Sequence, residues 1–284
     1  MKLMNFYEGG ALHVGLVMGE RVADLTACDP DLCRSMERLI AAGEEGLARA
    51  AALAKTAPRK PLPGAAFAPA VTAPEKILCV GLNYMSHIAE EKEARPPFPE
   101  VFGKYNNALA AHGETIPLPG AAGGFDYEAE LVAVIGKTAC RVPEERALEY
   151  VFGYTCGNDI SAREQQFRVT QWLVGKSCDG FAPVGPWIVT RDAINAASLE
   201  IRLWRNGALR QCDNTRNLIY GVPALVSYLS QYMTLRPGDL IFTGTCAGCI
   251  TGITDENGAH PWLSPGDEVV VEIEGIGRLR NVMG

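Results

Sequence analysis

Two glutamates at the head of an apolar run constrain this chain more than any other feature: Glu128 and Glu130 in Phe125-Asp126-Tyr127-Glu128-Ala129-Glu130-Leu131-Val132-Ala133-Val134-Ile135. The run reads as a strand, and a strand alternates faces, so both carboxylates point to the same side. Two anions side by side repel. A cation between them relieves the repulsion, and all-oxygen ligation suits a hard ion such as Mg2+ or Mn2+. A solvated strand end would carry the same pair, so the spacing alone leaves both readings open.

Further along, a short apolar stretch from Tyr150 to Tyr154 gives way to Asn158-Asp159-Ile160-Ser161-Ala162-Arg163-Glu164. Asp159 is the natural third oxygen ligand. It is equally suited to capping a helix that starts here, with Ser161 as a competitor for that place.

The 284 residues carry 48% hydrophobic side chains, enough for one large core with room for a small extra domain. There are 26 basic and 33 acidic residues, a net charge of −7, and no basic run or basic-aromatic stripe. That excludes a nucleic-acid footprint and means that an anionic substrate depends on local cations. The first twenty residues are interrupted by Asn5, Glu8 and Glu20, and no later apolar run approaches the roughly 18 residues of a membrane span, so no membrane association and a cytoplasmic protein are expected. Nine cysteines, an odd number, fit buried free thiols better than a disulfide framework. Cys246-Ala247-Gly248-Cys249 is the one Cys-x-x-Cys, and no further Cys or His stands at zinc-site spacing from it.

Periodicity predicts a strand-dominated mixed α/β fold. Residues 1–70 are expected to form a small N-terminal α/β accessory domain with short strands (11–17, 22–25), a helical run 35–55 and a Pro-rich linker from Thr56 to Pro74, where proline prevents a helix from continuing. The catalytic domain is then 71–284. Within it, 76–82 reads as a strand, and Asn206-Gly207 marks a tight hairpin between strands at 199–205 and 208–211. Pro-Gly-Asp turns at 237–239 and 265–267 each launch a strand. Helices are expected at 143–152, 161–174 and 222–233.

His87 and Glu90 stand three apart, which in a helical turn makes an imidazole and a carboxylate neighbours. The spacing fits an acid/base pair, and it fits a surface histidine beside the charged run Glu90-Glu91-Lys92-Glu93. Lys176 is either an exposed lysine or a partner for a substrate carboxylate or oxyanion. Tyr84 and Phe102 are candidates for pocket wall or core. No Gly-x-Ser-x-Gly elbow, phosphate-binding loop or dinucleotide fingerprint is present.

The run Gly81-Leu82-Asn83-Tyr84 through His87 and Glu90, then Asp126-Tyr127-Glu128-Ala129-Glu130-Leu131, Gly157-Asn158-Asp159-Ile160-Ser161-Ala162-Arg163-Glu164, Gln171-Trp172-Leu173-Val174-Gly175-Lys176 and Pro237-Gly238-Asp239-Leu240-Ile241-Phe242-Thr243-Gly244-Thr245, resembles the fumarylacetoacetate hydrolase superfamily, in that family's order. The resemblance implies a β-roll or distorted-barrel core, usually paired as a homodimer. It also implies one Mg2+ or Mn2+ per chain held by Glu128, Glu130 and Asp159, with Arg163, Gln166, Lys176 and Thr245 toward the substrate; Tyr84 is counted with them as a substrate-binding candidate. His87 and Glu90, with Lys176, become the catalytic groups, the first two on a lid. The family usually has proline where Cys246 stands, a departure that reshapes the loop beside Thr245. The implied reaction is hydrolysis of a carbon–carbon bond in a small β-diketo or acylpyruvate-type 2-oxo acid. Decarboxylation of an oxaloacetate-like acid and keto–enol isomerisation pass through the same enolate and are the alternatives. A catalytically silent metabolite-binding member is a third reading, and the presence of both the three acids and the His87/Glu90 pair argues against it.

Overall fold

The computed structural model describes residues 1–284 and is strand-dominated, with few and short helices. One sheet of twelve strands runs through most of the chain. Its main path is Arg59–Pro61, Arg21–Asp24, Ala11–Met18, Lys2–Glu8, Ala182–Thr190, Val151–Asn158, Ala129–Ile135, Leu240–Thr245, Ile77–Gly81 and Glu100–Lys104. A second, five-stranded sheet has the order Ala208–Asn214, Glu200–Arg205, Glu268–Ile273, Gly277–Met283 and Thr115–Ile116.

The apolar strand Ala129–Ile135 lies at the centre of the large sheet, and its period of two divides the protein. Leu131, Ala133 and Ile135 join one core with Ile201, Leu203, Val269 and Val271 of the smaller sheet. Val132 and Val134 join a second core with Leu240, Phe242 and Ile188, and with Leu3, Val14, Leu39 and Ile40 from the first 70 residues. Burial on both faces explains the uninterrupted apolar run. The strand Glu268–Ile273 buries Val269, Val271 and Ile273.

The first 61 residues contribute four consecutive strands of the large sheet, and Lys2–Glu8 pairs with Ala182–Thr190. Asn5 donates to the carbonyls of Pro69 and Ala70 at 3.0 and 3.2 Å. The helical run expected at 35–55 is two helices, Met36–Ala41 and Gly43–Leu53, broken where Gly43 takes a φ of +60°.

Both Pro-Gly-Asp turns launch strands, and the aspartate holds each turn. Asp239 accepts from the backbone N–H of Arg236 and Lys76, and Asp267 from that of Ser264 and from Arg205. The preceding glycines sit at φ +92° and +91°, where a side chain would strain the backbone. The hairpin at Asn206-Gly207 has φ +50° and +76°, the conformation of a tight two-residue turn. Two expected helices are corrected. Residues 144–150 form a 3-10 turn leading into the strand Val151–Asn158, and 161–174 is not one helix. Instead Ser161–Ala162 pairs with Phe125–Asp126, and two short helices follow, Arg163–Gln166 and Leu173–Lys176. That pairing holds the segment where Asp126 needs Arg163, which outweighs helix propensity. No helix is long and apolar enough to cross a membrane. Of the nine cysteines, all free, Cys28, Cys140 and Cys212 are exposed rather than buried.

Candidate active site

Glu130 pairs with Gly157 across the central strands, and Asp159 follows the last residue of the neighbouring strand. The N–H of Glu128 donates to Asn158 Oδ1 at 2.9 Å and the N–H of Asp159 to the Glu128 carbonyl at 3.0 Å. These bonds lock the two chain segments together. Ligand oxygens of Glu128, Glu130 and Asp159 all lie within 4.8 Å of one another, and all three residues are buried. Asp159 is no helix cap, since the next helix begins at Arg163.

Buried carboxylates need compensation, and cations surround these. Lys176 Nζ lies 3.0 Å from both Glu128 and Asp159, and 5.1 Å above the Phe102 ring. It is 2% exposed, so it is not a surface lysine. Gly175 sets it there: a Cβ at that position would lie 2.5 Å from Gln166 N and 2.7 Å from the Ala162 carbonyl, so the two short helices meet only at glycine. Arg163 directs four of its five N–H groups to protein acceptors, namely Asp126 twice, Glu128 and Gln166, at 2.6–2.9 Å. It therefore positions Glu128 more than it reaches outward.

Two groups without an assigned role in the sequence belong here. Lys104, buried, donates to the carbonyls of Ile160 and Phe181 and sits 2.5 Å from Asp159 Oδ1. That oxygen receives no well-directed hydrogen bond, because the ammonium is aimed at the two carbonyls. Asp126 accepts from Arg163 and from the backbone N–H of Ile250 at 2.7 Å, tying the acid cluster to the 246–252 loop. The signal for Lys104 was its phase: it shares a strand face with Phe102, which lines the cleft.

The electrostatics divide the three acids. Burial pushes the Glu128 carboxyl up, but Lys176, Arg163 and His87 outweigh it and hold it at about 2. Glu130 goes the other way, held well above the carboxylate range by burial and then by Asp159 and Glu128; the Gly244 N–H, which donates to it at 2.6 Å, does not compensate. A carboxyl whose ionisation is opposed by burial and by neighbouring anions, beside an Asp159 oxygen lacking a hydrogen bond, is a donor set that fits a hard dication.

A cleft of about 230 Å3 reaches this cluster at Glu128, and its wall includes His87, Phe102, Arg163, Gln166, Lys176 and Thr245. Gln166 is buried and accepts from Arg163. The Thr245 hydroxyl donates to the Ala129 carbonyl at 3.0 Å and accepts from Gln211. Tyr84 is fully buried at the start of the helix Met85–Glu91 and is not part of the cleft wall; burial pushes its hydroxyl far up. A larger cavity of about 490 Å3 near Arg191 and Arg216 contains none of the expected site residues.

His87 lies on the helix Met85–Glu91, with Nδ1 3.5 Å from Glu90 Oε2. It is buried rather than on a solvated face. Glu90 accepts from Gly248 N–H at 3.0 and 3.1 Å, and Glu91 from the Thr251 hydroxyl at 2.6 Å, so two acids dock the helix on the 246–252 loop.

Residues 76–283 match the model of the fumarylacetoacetate hydrolase C-terminal domain. A fumarylacetoacetate hydrolase domain-containing protein 2 homolog from Dictyostelium discoideum is 45% identical over 219 residues, 73% of this chain and 71% of the relative. A mitochondrial oxaloacetate tautomerase from Rattus norvegicus is 37% identical over 274 residues, covering 95% of this chain and 86% of its own. The crystal structure of maleylpyruvate hydrolase from Sphingobium sp. SYK-6 in complex with manganese (II) and pyruvate superposes with a TM-score of 0.81 at 32% identity, covering 100% of both chains. The sheet architecture, the acid cluster and these relationships agree, and the chain belongs to the fumarylacetoacetate hydrolase family.

Proposed function

We propose that this protein is a divalent-metal-dependent enzyme that hydrolyses a carbon–carbon bond of a small β-diketo or acylpyruvate-type 2-oxo acid. The observation that carries the reading is the placement of His87, backed by Glu90, in the wall of the same cleft that Glu128 of the acid cluster lines. Glu128, Glu130 and Asp159 would hold one Mg2+ or Mn2+. A dication bound there supplies Lewis-acid polarisation of the 2-oxo group.

The chain's own groups do the rest. Lys176 uses two of its three N–H donors on Glu128 and Asp159, leaving one for a substrate carboxylate. His87 removes a proton from water, which attacks the distal carbonyl. The bond between that carbon and its neighbour then breaks, and its electron pair forms the enolate of the departing 2-oxo acid. Glu90 faces His87 Nδ1 and stabilises the imidazolium; the 3.5 Å separation shortens as the ring charges. Phe102 and Trp172, edge to face at 5.4 Å, wall the cleft against water.

A second reading has its own support. The relatives named oxaloacetate tautomerases favour proton transfer between carbon and oxygen of one 2-oxo acid, with His87 moving a carbon-bound proton and no water attack. Turnover of acylpyruvates, oxaloacetate and a fumaryl diketo acid with Mn2+ tests the proposal. Cleavage products support hydrolysis, enol–keto exchange without cleavage supports the second reading, and no turnover of any rejects both. We propose a homodimer as the assembly, supported by the exposed apolar side chains Phe167, Val169 and Val174; sedimentation at one chain mass would reject it.

A further inference from the structure

Next to the all-oxygen cluster the fold assembles a second group of donors with different chemistry. Candidate ligand atoms of His87, Glu90 and Cys249 all lie within 4.8 Å of one another. Cys249 is fully buried and comes from the Cys-x-x-Cys loop, whereas His87 and Glu90 come from the helix Met85–Glu91. No sequence spacing links them. The loop and helix meet because Gly248 N–H donates to both Glu90 oxygens, and because Gly252 leaves room for that carboxylate. Independently of the cysteine, His87 Nδ1 is buried without a hydrogen-bond partner, in a residue that is 7% exposed. An unpaired ring nitrogen in such a position is costly unless something ligates it.

We propose that His87, Glu90 and Cys249 form a soft-metal site that takes Zn2+ and thereby silences the catalytic pair. Sulfur, imidazole and one carboxylate are a zinc set, and a thiol is a poor ligand for Mg2+ or Mn2+. Zinc with Zn–N of about 2.0 Å and Zn–S of about 2.3 Å keeps its ligand atoms roughly 3.5 Å apart. His87 and Glu90 already stand at 3.5 Å, and the sulfur lies within 4.8 Å of both. Binding releases the thiol proton to solvent. Thiolate and carboxylate then neutralise the dication, and the fourth tetrahedral position is left for water. Gly248 N–H continues to orient Glu90, a support that such sites generally need. Cys246, the other cysteine of the motif, lies outside the donor group. The consequence for turnover rests on the proposed role of His87; the binding does not.

The two claims separate experimentally. Protein saturated with Mn2+ is titrated with Co2+, and the near-ultraviolet thiolate-to-cobalt absorption is recorded. Oxygen ligands give no such band. One equivalent is expected to produce it in the native chain and in a chain carrying C28S, C140S and C212S, which removes the exposed thiols. Cys249→Ala, and Cys249→Val as a bulkier replacement should alanine unfold the loop, are expected to abolish the band. In parallel, Zn2+ added to enzyme in excess Mg2+ should inhibit the native chain, and Cys249→Ala should require about 100-fold more Zn2+ with basal activity kept. A band that survives both substitutions, its absence from the native chain, or unchanged zinc inhibition in the variants overturns the proposal. If no substrate is turned over, the functional reading fails while the band still decides this one.

Discussion

Gly252 makes the space in which the Glu90 carboxylate sits: a Cβ on Gly252 would lie 2.3 Å from Glu90 Cδ and 2.4 Å from one of its oxygens. The glutamate end is flexible, yet Gly248 N–H holds both its oxygens, so relief comes by breaking those bonds. Gly252→Ala is therefore expected to behave like Glu90→Ala, lowering kcat through a misoriented His87 ring. Neither residue belongs to the acid cluster, so Mn2+ affinity should stay unchanged. Equal kcat in the native enzyme and Gly252→Ala would show that Glu90 does not orient the base.

The acid cluster predicts how metal and pH interact. Burial and its anionic neighbours push the Glu130 carboxyl well above the ordinary carboxylate range, so Mn2+ competes with a proton for it. Affinity should rise with pH, and calorimetry in buffers of different ionisation heat should detect proton release. The sign for stability of the metal-free protein is opposite. A carboxyl whose folded pKa is raised binds more protons folded than unfolded, so its contribution is present at low pH and is lost as pH rises through the folded value. Metal removes that loss. Exhaustive chelation should abolish turnover, and Glu130→Ala should lose Mn2+ while remaining folded, because it removes a buried carboxyl whose ionisation the fold opposes. Full activity after chelation would exclude the metal.

The residues legible from sequence are those whose spacing is short within one element. Glu128 and Glu130, His87 and Glu90, the Asn206-Gly207 hairpin and the Pro-Gly-Asp turns are all local patterns, and the fold keeps each of them. What escaped depends on distant segments meeting. Lys104 reaches Asp159 from a strand 55 positions earlier, and Gln211 reaches Thr245 and the Ala129 backbone from the small sheet. The helix expected at 161–174 failed because its first residues pair with Phe125–Asp126 to bring Arg163 onto Asp126. Tertiary electrostatics decided that segment, and local propensity carries no record of them.

Residues 1–70 hold none of the metal-site residues, and the sequence proposes them as a separable unit. The structure gives the stakes of removing them: Lys2–Glu8 pairs with Ala182–Thr190, and Leu3, Val14 and Leu39 share a core with Val132 and Phe242. A chain beginning at Thr72 is expected to bind Mn2+ with a lowered Tm. Failure of that chain to fold at all would show that the N-terminal strands complete the core.

One contact across that boundary is titratable. Glu37 accepts from the N–H groups of Thr72 and Ala73 and from the Thr72 hydroxyl at 2.7–3.0 Å. Burial opposes its ionisation, but hydrogen bonds from its own N–H, Ala73, Ser35 and Thr72 win, and its pKa falls below the ordinary 4.5. The contribution is therefore present above pH 4.5 and lost as pH drops through the folded value. Glu37→Ala should cost about 1–3 kcal/mol at neutral pH. Denaturant unfolding of both chains should show that gap narrowing in acid; a gap independent of pH would mean that packing, not charge, carries it.

His87 separates the two chemistries proposed for the cleft. Hydrolysis needs a base for water near the bound carbonyl, and such help is worth about 10²- to 10⁴-fold. His87→Ala should lower kcat on an acylpyruvate by about that range, with Mn2+ affinity unchanged because the imidazole lies outside the three-acid set. Tautomerisation also moves a proton, but between carbon and oxygen, so a loss of tautomerase turnover in His87→Ala without any cleavage activity in the native enzyme would favour the second reading. Decarboxylation needs no attacking water, and its dependence on His87 should be far weaker. Measuring kcat for His87→Ala and Glu90→Ala on an acylpyruvate and on oxaloacetate distinguishes these outcomes, and rates unchanged on every active substrate would remove His87 from the mechanism.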